Sequence, residues 1–128
     1  MADEGSHLLV VDDNRMERLK LLRALQGLGY TVASADNGQL ALEMLRAQSY
    51  DLVLLDIGMP GIDGYQVLEA IKGDGDLRDI PVIVVSGFDD IESVQLCMKL
   101  GAEDHLPKSF DVDALTSRVK ACLEKRNS

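Results

Sequence analysis

Short apolar runs recur along the chain, and each is followed by a stretch in which apolar residues return at helical spacing. The runs are "HLLVV" (7–11), "YTVASA" (30–35), "DLVLLD" (51–56), "IPVIVVSG" (80–87) and a weaker "EDHLP" (103–107). They are nearly continuous in Val, Ile and Leu rather than alternating with polar residues, as strands buried on both faces must be. Between them, Leu21, Ala24, Leu25 and Leu28 follow the i, i+3, i+4, i+7 pattern of one helix face. Asp13 or Asn14 is placed to cap that helix, and Gly29 to end it. Asn37 opens a second helix through Leu40, Ala41, Met44 and Leu45, and Asp63 a third through Val67, Leu68 and Ile71. Asp89 or Asp90 opens a fourth with Ile91, Val94 and Met98, and Asp111 or Asp113 a fifth with Leu115, Val119 and Cys122. Strand-then-helix, five times over, predicts an α/β fold: a single doubly wound five-stranded parallel sheet, (β/α)5, covered on both faces.

A chain of 128 residues that is 46% hydrophobic and 27% charged has the material for one packed core. The reading is one domain over 1–128, with its core at about 7–125 behind a short acidic N-terminal extension. The net charge of −9 argues against a surface for nucleic acid or for an anionic membrane, both of which require clustered Lys and Arg. No apolar run approaches the length of about 20 residues that spans a bilayer. Cys97 and Cys122 lie far apart inside helical patterns, which suits reduced thiols in a cytoplasmic protein.

In such a sheet, ligands bind beyond the carboxyl ends of the strands. There the sequence places Asp12 and Asp13 after the first run, Asp56 at the end of the third, Ser86 and Gly87 after the fourth, and Lys108 after the fifth. Asp56 closes an otherwise apolar run and leads into a loop with Pro60 and three glycines. Taken alone, Asp12, Asp13 or Asp56 could simply cap a helix or make a turn, and Ser86 could be an ordinary strand-end hydroxyl. Together they form a cluster. Carboxylates about 5 Å apart repel by about 3 kcal/mol per pair at an effective dielectric of about 20, and one ammonium does not offset three of them. A hard divalent cation with oxygen ligands does, and Mg²⁺ suits a shell shared between protein and water. A carboxylate beside such a cation is able to accept a phosphoryl group as an acyl phosphate, with Lys108 and Ser86 helping to neutralise it.

"VVDDN", "LLDIGMPGIDG", "VSG" and "GAEDHLPKSF", in that order and spacing, closely resemble the response-regulator receiver domain of two-component signalling over residues 7–125. The resemblance implies a flavodoxin-like strand order of 2-1-3-4-5. It implies that Asp56 is the phosphoacceptor, and that Mg²⁺ is held by Asp12, Asp13, Asp56 and the backbone carbonyl of Gly58. It further implies that Ser86, Gly87 and Lys108 bind the phosphoryl group, and that His105 stands at the switch position where the family carries Tyr or Phe. An imidazole there is able either to move inward or to titrate near pH 6.5, and a plain surface role is the alternative. The implied activity is Mg²⁺-dependent transfer from the phosphohistidine of a histidine kinase or histidine phosphotransfer protein, followed by slow self-dephosphorylation, with no other enzymatic activity.

Met16, Leu19 and Leu22 form a second apolar stripe on the first helix, off the Leu21–Leu25–Leu28 stripe. A helix apolar on two faces is either deeply buried or offers a partner surface, and in receivers this region docks on the phosphodonor. Association through helix 4, strand 5 and helix 5 is a second expectation, for which Asp104 and Arg118 match one charge pair. The family usually reads Lys-Pro where this chain has Lys108-Ser109, and a trans bond is expected there because cis costs about 2.5–4 kcal/mol before a residue other than proline. Two other phosphate chemistries fit less well. A haloacid-dehalogenase-type phosphatase needs an acid two residues after the nucleophile, and that position is Gly58; a flavodoxin-like cofactor site needs hydroxyls where "DDNRME" is acidic. A receiver-fold interaction module that does not use phosphorylation is the remaining alternative.

Overall fold

The structure, a computed structural model, describes residues 6–57, 64–87 and 91–127. The chain runs β1 (His7–Val11), α1 (Arg15–Gly27), β2 (Thr31–Ala35), α2 (Gly38–Ala47), β3 (Leu52–Asp56), α3 (Gly64–Gly73), β4 (Val82–Ser86), α4 (Ile91–Lys99), β5 (Asp104–Pro107) and α5 (Val112–Asn127). All strand pairs are parallel, and the sheet order is β2-β1-β3-β4-β5, as expected.

Each central strand divides its side chains between two cores. Leu9, Val11, Val53, Leu55, Val82 and Val84 face one side, where Ala41, Leu45, Val67, Leu68, Ile71 and Cys97 of α2, α3 and α4 cover them. Leu8, Val10, Leu52, Leu54, Ile83 and Val85 face the other, against Leu21 and Leu25 of α1 and Leu115, Val119 and Leu123 of α5. Burial on both faces is why these runs contain no polar alternation. The edge strand β5 is only partly buried, apart from Leu106, which accounts for its weaker apolar pattern.

The helix starts follow the sequence where they are described. Asn14 caps α1 by accepting the Glu17 N–H, Asn37 caps α2 through the Leu40 N–H, and Asp111 accepts the Ala114 N–H at the start of α5. The caps expected at Asp63, Asp89 and Asp90 fall outside the described residues. Gly29 ends α1 at φ 98°, a left-handed conformation that glycine adopts without a Cβ clash. One helix face departs from expectation. Among the described side chains of α4 the buried one is Cys97, while Met98 is 47% exposed and Val94 half-buried; the Ile91 side chain falls outside the described residues. This helix touches only one side of the sheet near its edge, so a narrower stripe suffices to cover it.

Gly64, the first residue of α3, was not singled out by pattern. A Cβ there would overlap the Ile57 Cα and the Asp56 carbonyl oxygen, both backbone atoms with no freedom to give way. The start of α3 therefore packs directly on the end of β3. Gly64→Ala is expected to destabilise the fold by about 2–4 kcal/mol, the range of a severe backbone clash. A urea midpoint equal to that of the parent protein would show that this close approach is not required.

Candidate functional site

The carboxyl ends of β1, β3, β4 and β5 meet on one rim. Asp12 follows β1 and is 1% exposed; Asp56 ends β3 at 3%; Asp13 is open to solvent. One carboxylate oxygen from each of these three lies within 4.8 Å of the others. Asp12 is held firmly. Its N–H donates to the Ala35 carbonyl, its Oδ1 accepts the Asn14 N–H at 2.9 Å, and its carbonyl accepts Arg18 Nη1 at 3.0 Å. Its Oδ2 is buried and has no hydrogen-bond partner among the described residues. Burial pushes the Asp12 carboxyl up to about 7; the Asn14 amide opposes this, and the neighbouring Asp56 charge adds to it. A buried carboxylate oxygen with a lone pair unused, next to two more carboxylates, is a donor set that fits a hard divalent cation.

Lys108 follows β5 and brings its ammonium to 3.4 Å from Asp56 Oδ2. A backbone bond places it: the Lys108 N–H donates to the Ser86 carbonyl at 2.9 Å, joining the ends of β4 and β5. The Lys108–Ser109 peptide is trans, as expected, like every peptide bond among the described residues. The Ser86 side chain is buried at the end of β4, in register with Pro107. Gly87 lies against the lysine stem, where an added Cβ would sit 3.5 Å from Lys108 Cδ, an ordinary contact; glycine is not demanded there by space. Gly58, the expected backbone ligand, falls outside the described residues.

His105 is half-buried on β5 beside Val84, and its Nε2 is enclosed without a hydrogen-bond partner among the described residues. The second stripe on α1 is graded rather than uniform: Met16 is 77% exposed, and Leu19 and Leu22 are half-buried. Arg118 pairs with Asp104 at 2.6 Å within the chain itself. Cys97 and Cys122 are buried free thiols in the two cores on opposite faces of the sheet. A cleft of about 500 Å³ lined by Arg46, Tyr50, Asp74 and Leu77 opens at the other rim, away from the carboxylates.

The sequence reading missed Glu17. Its Oε2 is 2.8 Å from Lys108 Nζ, closer than Asp56 is. The available signal was its place in the first turn of α1, directly after the acidic pair.

Comparison with known proteins bears on the family and the fold. A family model described as the response regulator receiver domain matches residues 8–120. The chain is 38% identical over 118 residues to the response regulator MprA of Mycobacterium ulcerans, covering 92% of this chain and 50% of that protein. It is 37% identical over 119 residues to the probable transcriptional regulator ycf27 of Cyanidium caldarium, covering 93% and 47%. The chain thus spans about half the length of the curated relatives it matches. Among solved structures, the receiver domain of NtrX from Brucella abortus superposes with a TM-score of 0.86 at 31% identity, covering 91% of this chain and 98% of that one. The chemotaxis protein CheY4 of Vibrio cholerae superposes with a TM-score of 0.88 at 25% identity, covering 93% and 99%. Among the described residues no helix is long and apolar enough to cross a membrane.

Proposed function

The chain belongs to the response regulator receiver domain family, and from that premise we propose that it is a phosphorylation-dependent switch whose phosphoacceptor is Asp56. The observation that carries the proposal is the cluster of Asp12, Asp13 and Asp56 within 4.8 Å, with Lys108 at 3.4 Å from Asp56. An Asp56 carboxylate oxygen attacks the phosphorus of a phosphohistidine on a histidine kinase or histidine phosphotransfer protein. The P–N bond breaks, the imidazole leaves with its electron pair and takes up a proton, and an acyl phosphate remains on Asp56. Asp12 and Asp13 would hold Mg²⁺ together with Asp56 and the Gly58 carbonyl, and the ion would supply charge neutralisation for the transferring group. Lys108 offers the ammonium that pairs with the phosphoryl oxygens. Hydrolysis of the acyl phosphate returns Asp56 to the free carboxylate and resets the switch.

Ser86 is the hydroxyl placed to sense the new group. Its hydrogen bond to a charged phosphoryl oxygen would contribute about 1.5–3 kcal/mol. Moving an equilibrium from 1:99 to 99:1 takes about 5.5 kcal/mol. Ser86 therefore acts together with Lys108, whose amide is already bonded to the Ser86 carbonyl. Docking of the donor falls to the exposed start of α1, where Met16 stands beside the acidic rim. The buried free thiols suit the reducing cytoplasm.

The test is direct. The chain is incubated with acetyl phosphate and Mg²⁺, and its mass is followed. One phosphoryl group is expected, mapped to Asp56, stable to acid and released by hydroxylamine. Uptake on another residue, or none at saturating donor, would overturn the assignment.

A further inference from the structure

Lys108 is a shared cation. Its Nζ stands 2.8 Å from Glu17 Oε2 and 3.4 Å from Asp56 Oδ2, so the nearer carboxylate lies outside the metal-binding set. Local structure explains why Glu17 is available. It is the third residue of a helix capped by Asn14. A glutamate at this position commonly turns back to accept the cap residue's own N–H. Here that N–H donates to Asp12 Oδ1 at 2.9 Å. The Glu17 N–H donates to Asn14 Oδ1 at 3.0 Å, which fixes the backbone and leaves the carboxylate for Lys108. Lys20, one turn along on the same helix face, is held over the Phe110 ring at 4.6 Å.

We infer that Glu17 is a positioning residue that competes with Asp56 for Lys108 and thereby restrains phosphoryl uptake. This rests on the reading of Asp56 as phosphoacceptor. Asp12 and Asp13 cluster with Asp56, and Glu17 joins Asp56 at Lys108, so four carboxylates share the rim with one ammonium. A bound divalent cation leaves one negative charge in excess, and an incoming phosphoryl group adds more. Glu17 contributes to that excess and also holds the cation that the phosphoryl group must recruit. Its side chain is 39% exposed, so solvent screens it and the restraint is moderate.

The experiment measures the initial rate of phosphorylation of the whole chain by acetyl phosphate at saturating Mg²⁺, and the half-saturating concentration of beryllofluoride as a phosphoryl analogue. Glu17→Gln is expected to raise the rate about fivefold and to tighten analogue binding to a similar degree. Glu17→Asp keeps the charge and is expected to return both values most of the way to those of the parent. A Gln variant no faster than the parent, while the parent is phosphorylated on Asp56, would overturn the role of Glu17 alone. An Asp variant as fast as the Gln variant would also overturn it, because packing rather than charge would then be responsible. A parent protein that takes no phosphoryl group on Asp56 would remove the phosphoacceptor reading and this inference with it.

Discussion

Asp56→Asn abolishes phosphoryl uptake: no acyl phosphate forms at saturating acetyl phosphate and Mg²⁺, in a protein that remains folded. The carboxamide is neutral and a far weaker nucleophile than the carboxylate, and no neighbour among the described residues is placed to substitute. Asp12 Oδ1 is engaged by the Asn14 amide, and Asp13 is open to solvent, with no ion pair to Lys108 among the described residues. The loss is expected to exceed about a hundredfold in initial rate, the scale on which a covalent nucleophile contributes when its reaction is split into two steps. Folding is not expected to suffer. Asp56 sits within 4.8 Å of two other carboxylates, and removing its charge relieves that repulsion. Intact-mass analysis after donor treatment and a urea melt on the same sample check both halves. Retained uptake on the rim at parental rate would show that another residue accepts the phosphoryl group.

The second large effect is at Asp12, and it depends on pH. Burial raises this carboxyl from 3.8 to about 7 in the folded protein. Between those values the unfolded chain has lost a proton that the folded protein keeps. The folded state thus binds more protons, and the stability of the metal-free protein falls as pH rises through this window. Below about pH 4 both states are protonated and the group exacts nothing; above about pH 7 its full cost is present, on the order of 4 kcal/mol. Asp12→Asn is therefore expected to stabilise the metal-free protein at pH 8 by about that amount and to flatten the pH dependence between pH 4 and 7. With Mg²⁺ the order reverses. The parent is expected to gain stability because Asp12 Oδ2, which has no hydrogen-bond partner among the described residues, would become a ligand, whereas the Asn variant gains little. Protons compete for the same oxygen, so Mg²⁺ affinity in the parent weakens below about pH 7. Urea melts at pH 5 and pH 8, with and without Mg²⁺, measure all of this. An Asn variant with the parent's pH slope and the parent's Mg²⁺ response would remove Asp12 from both roles.

Much of this molecule was legible in its sequence, for identifiable reasons. The strands burying both faces produced apolar runs that nothing else in a chain of this kind would require, and β1 at His7–Val11 coincides with its run residue for residue. The three carboxylates and Lys108 were legible because strand ends in a parallel sheet share one rim. Side-chain detail was less so. Cys97 was passed over for Met98 because a cysteine carries a weak hydrophobic signal, and α4 covers too little of the sheet to display a full stripe. Gly64 was invisible because its role is a contact between backbones, which leaves no periodic trace. Glu17 was missed because its partner is ninety-one positions away and its own location suggests an ordinary helix cap; only the prior capture of the Asn14 amide by Asp12 releases it.

The 2.9 Å bond from the Lys108 amide to the Ser86 carbonyl has a wider consequence. The hydroxyl and the ammonium that would read the phosphoryl group do not report independently. They are joined through one backbone bond, so a displacement of either strand end would bear on both. A phosphoryl group on Asp56, as proposed, would then act as a single mechanical input, and the two adjoining surfaces, one leading into α4 and one into α5, would be moved by it in step.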